Sequence, residues 1–350
     1  MKGLPDLTKI VQENIELNQE QISETIDLLV NAEVSETEKA DFLTAMNQKG
    51  ESTAEFCIFV DEFRRRAIQP NLENFSKNAI DLCGTGGDKA GSFNISTLVS
   101  FILASGGVPV IKHGNRSISS KCGSADLIEA VGIPLSLSEE QLLEGMKSLN
   151  FGFLFAPNYH PAFKHIAPVR KQLAERGVLT FFNVMGPMLN PASPAFQLVG
   201  TYNPAYLQPM AKALASNGLK AGMVAHCKVK HHQISGVDEL TACGENLVVA
   251  TGHLSSNEPQ IWSPHKWKQE YHPIEDLKGG NLQENLNIIK KILSNSAEPG
   301  LKATILINAA TAFHICKKVD SLDEGVELAD SLMRDGKLKD WLDAASSFFK

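Results

Sequence analysis

No apolar stretch in this chain is long enough to span a bilayer, and its first residues lack the basic-then-apolar pattern of a secretion signal. A cytoplasmic protein that does not enter membranes is expected. Basic residues never run beyond Arg64 to Arg66, and the formal net charge is -7. General nucleic-acid or membrane-surface binding is therefore not expected, because both need a broad basic surface. The six cysteines (57, 83, 122, 227, 243, 316) show no paired spacing. They read as reduced thiols rather than a disulfide framework. Repeats and low-complexity segments are absent. So are the dinucleotide fingerprint G-x-G-x-x-G and the P-loop G-x-x-x-x-G-K-[ST]. That argues against NAD and against a nucleoside triphosphate in its usual cradle.

What is present lies mostly between Asp81 and Gly132. A strand-like apolar run ends in G-T-G-G-D (Gly84 to Asp88). S-F-N-I-S-T (Ser92 to Thr97), K-H-G-N-R (Lys112 to Arg116) and S-S-K-C-G-S-A-D (Ser119 to Asp126) follow. Glycines let a backbone turn tightly and bring bare N–H groups against a ligand. Asn94, Ser96 and Thr97 precede the apolar run Leu98 to Leu103, so a helix is expected to start there. Helix starts leave unpaired N–H groups and partial positive charge, which suit anions. Val108 to Ile111 reads as a second strand, with Lys112 directly after it as a point charge for a phosphate. Ser124 and Asp126 mark another helix start. Each loop alone is an ordinary turn or cap. Three in series, with Lys112 and Lys121 between them, point to a ligand carrying more than one phosphate.

Residues 1 to about 70 read as helices only, with capping boxes at Ser35/Glu38 and Ser52/Glu55. Ile22, Ile26, Leu28 and Leu29 give one apolar face, and Phe42, Leu43 and Met46 another. Strand-like runs then alternate with helices: Ala79 to Cys83, Val108 to Ile111, Phe153 to Phe155, Gln197 to Thr201, Gly222 to His226 and Leu247 to Ala250. The alternation predicts an α/β fold with a mostly parallel central sheet flanked by helices. Residues 281 to 350 return to helices, with a third capping box at Ser321/Glu324.

With F-L-F-A-P-N-Y-H-P-A-F-K-H-I-A-P-V-R (Phe153 to Arg170), F-N-V-M-G-P-M-L-N-P (Phe182 to Pro191), V-D-E-L (Val237 to Leu240) and I-N-A-A (Ile307 to Ala310) added to these motifs, nearly the whole chain resembles the anthranilate phosphoribosyltransferases. These enzymes belong to the nucleoside phosphorylase/phosphoribosyltransferase superfamily. The resemblance implies transfer of a phosphoribosyl group from phosphoribosyl pyrophosphate to the amine of anthranilate. It implies a small all-helical domain (residues 1–72, joined by helices from about 160–190) hinged to a large α/β domain (residues 73–350). The site would lie in the cleft between them, and the enzyme would be a homodimer.

Residue by residue, the resemblance implies that Gly84, Gly87 and Asp88 line the pyrophosphate and ribose, with Ser92 reaching the same substrate. Asn94, Ile95, Ser96 and Thr97 would hold its phosphates. Lys112, His113, Gly114, Asn115, Arg116, Ser117, Ile118, Ser119 and Ser120 would close over it, and Ser124 would add a contact. Gly84, Asn115 and Arg170 would meet anthranilate, and Ser96, Asp238 and Glu239 would bind Mg²⁺. No residue is assigned as a general acid or base, since an aromatic amine is already neutral near pH 7. Read without the resemblance, Asp238-Glu239 is a solvated pair, and Arg170 belongs to a basic helix face with Lys171 and Arg176.

Three features depart from the family pattern. The segment Cys227 to Gly236 is longer than in most relatives. Leu179-Thr180 stands where Arg-Thr is common, and Lys89 stands where Gly is common. His226, Cys227, His231 and His232 match no standard transition-metal spacing. The competing readings are a phosphoribosyltransferase with another aromatic acceptor, a nucleoside phosphorylase-like enzyme, and a non-catalytic nucleic-acid-binding relative.

Overall fold

The computed structural model describes residues 3–116, 121–229, 236–255 and 258–349. Helices Leu4–Gln12, Gln19–Val30, Glu36–Lys49 and Thr53–Arg65 form an N-terminal bundle. Capping boxes at Ser35/Glu38 and Ser52/Glu55 start the last two, as the sequence predicts, and Asn18/Gln21 adds one the sequence reading missed. Ile22, Ile26, Leu29, Phe42, Leu43 and Met46 are buried in one core. The same core takes in Ile166, Leu173, Phe181, Phe182 and Met185, so the segment carrying Arg170 packs on the bundle. The stacked rings of Phe59 and Phe181, 4.5 Å apart, lie in this joint.

Among the described residues seven strands form one sheet: β1 (Ile80–Gly84), β2 (Val110–Gly114), β3 (Phe151–Phe155), β4 (Phe196–Gly200), β5 (Ala221–Lys228), β6 (Glu245–Gly252) and β7 (Gln260–Trp262). Their order is β3-β2-β1-β4-β5-β6-β7. The first five are parallel, while β6 and β7 run antiparallel at one edge. The mostly parallel sheet is as the sequence predicts, with shifted ends. β2 starts after Pro109, which lacks an N–H and offers only its carbonyl, accepting from Ile80 N at 3.0 Å. The three-residue edge strand β7 carries no alternation long enough to be seen in sequence. The predicted box at Ser321/Glu324 is only half present. Ser321 Oγ accepts from Glu324 N, but the Glu324 carboxylate takes Asp320 N instead of Ser321 N.

Side-chain alternation along the strands feeds two cores. Leu82, Leu198 and Met223 face helices Ile95–Ser105 and Pro299–Ile315, whereas Val199, Val224 and Val249 face helix Leu207–Ser216 and the bundle core. Helix Pro299–Ile315 is apolar on nearly all sides and runs through the middle of the larger core. Parallel strands direct their carboxyl ends to one rim, and that rim carries the expected site residues.

Candidate active site

β1, β2 and β4 all end in glycine: Gly84, Gly114 and Gly200. Two of these clear the way for one segment. A β-carbon on Gly84 would overlap Asp238 Oδ2, and one on Gly200 would overlap the Asp238 carbonyl. The Asp238-Glu239 segment thus lies directly across the ends of paired strands β1 and β4. Behind it, Asn308 of the central helix donates to Leu240 O at 2.7 Å, and Thr304 Oγ1 accepts from Ala242 N at 3.1 Å. Gly86 and Gly87 have positive φ, and the turn they make lets Gly86 N donate to Asp238 Oδ2 at 2.6 Å.

The electrostatics of this rim are strained. Burial, then the proximity of Asp88 and Glu239, pushes the Asp238 carboxyl well above the usual carboxylate range. Burial lifts Glu239 to about 7, against the pull of Lys112. Asp88 Oδ1 accepts from Ala90 N, while its Oδ2 is buried without a donor among the described residues. Asp88, Asp238 and Glu239 thus crowd together at the rim. Among the described residues no group of three or more His, Cys, Asp or Glu side chains is placed so that it could hold a metal ion.

Helix Ile95–Ser105 begins beside these carboxylates. Its N-cap, Asn94, makes no capping bond, and Ser96 N donates to Glu239 Oε1 at 3.2 Å. Thr97 Oγ1 is buried with no partner among the described residues. The helix start therefore presents donors that its own cap does not satisfy. Ser92 and Phe93 pair with Lys278 and Leu277 across an isolated bridge, which fixes the loop entering the helix.

Lys112 corrects the sequence expectation. It lies inside β2 rather than after it, and is 1% exposed. Its ammonium donates to Leu82 O and reaches Ser96 Oγ at 3.4 Å. Below it, burial raises the Asp81 carboxyl to about 6, although Lys112 draws it down. Asn190 Nδ2 donates to Asp81 Oδ2 at 2.9 Å. Lys112 thus supplies positive charge from beneath the helix start, not as an arm over it. Arg116 is turned outward, paired with Asp126 at 2.5 Å and Glu129 at 2.9 Å. Asn115 is exposed, its Oδ1 accepting from Arg116 N and its carbonyl accepting from Ser124 Oγ. Gly123, not Ser124, caps helix Ser124–Ala130, and the Asp126 carboxylate accepts from Gly123 N at 2.8 Å.

A series of rings leads away from His113. It meets His160 at 5.2 Å, His160 meets Phe163 at 5.7 Å, and Phe163 meets Phe182 at 5.6 Å between centroids. The Arg170 guanidinium lies over Phe182, 5.3 Å from its centroid, and Nη2 donates to Phe182 O at 3.4 Å. Arg170 is therefore half-buried against a ring instead of forming a solvated basic face. Burial holds its pKa below the ordinary arginine value. Burial also lowers His113 to about 3 and His160 to about 4, so both rings are neutral near pH 7. His113 Nε2 is buried without a partner, whereas His160 Nε2 bonds Leu189 O at 2.9 Å.

The structure thus gathers Gly84, Gly87, Asp88, Asn94, Ser96, Thr97, Lys112, Asp238 and Glu239 at one rim, with Ile95 turned into the core. It does not bond Asn115 to Arg170. Ser117, Ile118, Ser119 and Ser120 lie outside the described residues, as do His231 and His232. His226 is buried with Nδ1 on Thr201 O, and Cys227 Sγ is 2.9 Å from Thr241 Oγ1. Sequence reasoning gave no role to Gly200, His160, Phe163, Phe182 or Asn285. His160, Phe163 and Phe182 lie inside the motifs that carry the resemblance, Asn285 lies in a tail pattern (Gly279, Gly280, Glu284, Asn285) that also fits it, and Gly200 lies in the strand-like run Gln197 to Thr201, so the signals were present without a role attached.

Residues 76–339 match the model of the glycosyl transferase family, a/b domain, and residues 5–67 that of its helical bundle domain. The anthranilate phosphoribosyltransferase of Solibacter usitatus is 39% identical over 355 residues, covering 99% of this chain and 100% of that protein. The Petrotoga mobilis enzyme of the same name is 37% identical, covering 95% and 92%. The crystal structure of the Thermus thermophilus anthranilate phosphoribosyltransferase superposes with a TM-score of 0.86 at 36% identity, covering 98% of this chain and 99% of that one. The Saccharomyces cerevisiae enzyme in complex with PRPP and Mg shares the fold, with a TM-score of 0.83 at 22% identity, covering 99% of this chain and 97% of that one. Full-length identity and a shared fold agree with the rim geometry, and this chain belongs to the anthranilate phosphoribosyltransferase family.

Proposed function

We propose that this protein transfers the phosphoribosyl group of 5-phosphoribosyl 1-pyrophosphate to the amine of anthranilate, releasing pyrophosphate, in tryptophan biosynthesis. The observation that carries the reading is the abutment of buried Asp238 and half-buried Glu239 on a helix start that its own N-cap side chain leaves uncapped. A polyanion is favoured by the helix end, and the adjoining carboxylates are compatible with it when a cation lies between.

Breaking the bond from C1 to the pyrophosphate oxygen builds negative charge on the leaving group and positive charge on the ribose. Donors of the Gly84–Asp88 turn and of the helix start, together with the Lys112 charge beneath them, are aimed at the negative side. Asp238, Glu239 and Ser96 are the residues that would hold Mg²⁺, which when bound neutralises phosphate oxygens. The neutral rings of His113 and His160 and the Arg170–Phe182 pair suit a flat aromatic acid, with Arg170 clamping its carboxylate. The amine nitrogen attacks C1 and then loses its proton to water. The expected contacts of Ser92, Asn115, Arg116 and Ser124 with the donor, and of Gly84 and Asn115 with the acceptor, belong to this same reading. So do a division into residues 1–72 and 73–350, a homodimer and a cytoplasmic location.

The test is the loss of anthranilate fluorescence on mixing protein, donor and Mg²⁺. Loss that needs all three, and disappears in Asp238→Ala/Glu239→Ala, supports the reading. Donor binding without consumption of anthranilate would move the assignment to another aromatic acceptor.

A further inference from the structure

Asn285 lies in the first turn of helix Leu282–Leu293 and is 2% exposed. Its Oδ1 accepts from Gly280 N at 2.9 Å, and its Nδ2 donates to Asn94 Oδ1 at 2.9 Å. Its side chain also hydrogen-bonds the Cys122 thiol. One buried carboxamide thus joins three segments remote in sequence: the turn at Gly280, the start of helix Ile95–Ser105 and the approach to helix Ser124–Ala130. Asn94 is the N-cap of its helix, and an asparagine there ordinarily turns its side-chain oxygen onto the second or third backbone N–H. Here that oxygen is taken by Asn285, and Asn94 Nδ2 donates to Cys122 O at 3.2 Å. The carboxamide is held away from its own helix, and Thr97 Oγ1 stays buried and unpartnered nearby.

We propose that Asn285 is a positioning residue for the phosphoribosyl donor: by engaging Asn94 it keeps that side chain from capping the start of helix Ile95–Ser105, where Ser96 N already meets Glu239 Oε1, and so leaves the next amide to phosphate oxygens. Without Asn285, the Asn94 oxygen is free to swing onto the amides that would otherwise serve the ligand. The effect is transmitted through Asn94 and is specific to the donor, because among the described residues the Asn285 side chain bonds Gly280, Asn94 and Cys122, none of which is on the Arg170 side.

The inference rests on the proposed donor, so the test separates the two. Calorimetric titration with phosphoribosyl pyrophosphate and Mg²⁺ needs no acceptor and is run first on the unaltered protein. Absence of binding there would sink the functional reading and this inference together. With binding present, Asn285→Ala is expected to weaken it about tenfold, the scale of one lost hydrogen bond at a buried site. KM for the donor rises likewise, while KM for anthranilate changes little; the thermal midpoint also falls, because Gly280 N loses its acceptor, and binding is read well below it. Asn285→Ser, which keeps a short acceptor but loses the reach to Asn94, is expected to act in the same way should the alanine variant fold poorly. Gln283→Ala, on the exposed side of the same helix, serves as the control. The decisive arm is the double variant Asn94→Ala/Asn285→Ala, expected to bind the donor no more weakly than Asn94→Ala alone. Additive losses, or equal rises in both KM values, would overturn the role.

Discussion

The proposed donor side and the proposed acceptor side of this site are built from different materials. The donor side consists of strand-end glycines, a tight turn and a helix start, with side chains serving mainly to hold backbone in place. The acceptor side is a row of rings from His113 to Phe182, closed by a guanidinium. Backbone donors are fixed by the fold and tolerate almost no added atoms. A ring-lined wall depends on which side chains happen to meet, and tolerates graded change.

Breaking the donor side should have the largest effect. Gly200→Ala places a β-carbon inside the Asp238 carbonyl, so the segment must move or the strand must shift. A displacement of about 1 Å at a positioned group costs on the order of a hundredfold in rate, and overpacking destabilises by roughly 1–3 kcal/mol. Urea unfolding and kcat/KM together check both; a near-normal variant would show that the rim is pliable. Asp238→Asn is expected to split stability from activity. Removing one of the crowded carboxylates should stabilise the fold by about 1 kcal/mol. Activity should fall by at least about a hundredfold, the scale of losing one transition-state electrostatic contact. A variant with both values lowered would contradict the strain assigned to this cluster.

The acceptor side should give smaller and more selective losses. Arg170→Lys keeps the charge but loses the planar fork and the stacking on Phe182. KM for anthranilate is expected to rise about tenfold with KM for the donor unchanged, which steady-state kinetics resolves. The smallest effect concerns pH. His113 and His160 titrate at about 3 and about 4 when folded, against about 6.5 unfolded. Between those limits the unfolded chain binds more protons, so their contribution to stability is complete above about pH 6.5 and is lost as the pH falls toward 3–4. His160→Gln should flatten the decline in unfolding free energy between pH 6.5 and 4. An unchanged slope would show that His160 is not buried as a neutral ring.

The two sides also differ in how far the sequence revealed them. G-T-G-G-D, N-I-S-T and the alternation of strands and helices are local patterns, and they located the donor loops, the helix start and the mostly parallel sheet. Lys112 was seen as a charge near phosphates, but its burial inside β2 was not. One residue of strand register decides whether a side chain points over the site or under it. Arg170 looked like part of a basic face because Lys171 and Arg176 flank it, while the Phe182 that shelters it lies twelve positions further on.

Composition and local pattern by themselves determined the class of chain, the helical start, the α/β remainder and the glycine-rich turn and helix start proposed to hold a polyphosphate. Those features follow from short-range backbone preferences and the periodicity of apolar residues. The tertiary structure alone decided that Asp88, Asp238 and Glu239 crowd together, that Gly200 makes room for them, that Asn285 draws Asn94 off its helix, and that His113, His160, Phe163, Phe182 and Arg170 form one wall. Each is a contact between segments distant in the chain, and its burial, charge and spacing exist only after the sheet has brought the strand ends to a common rim.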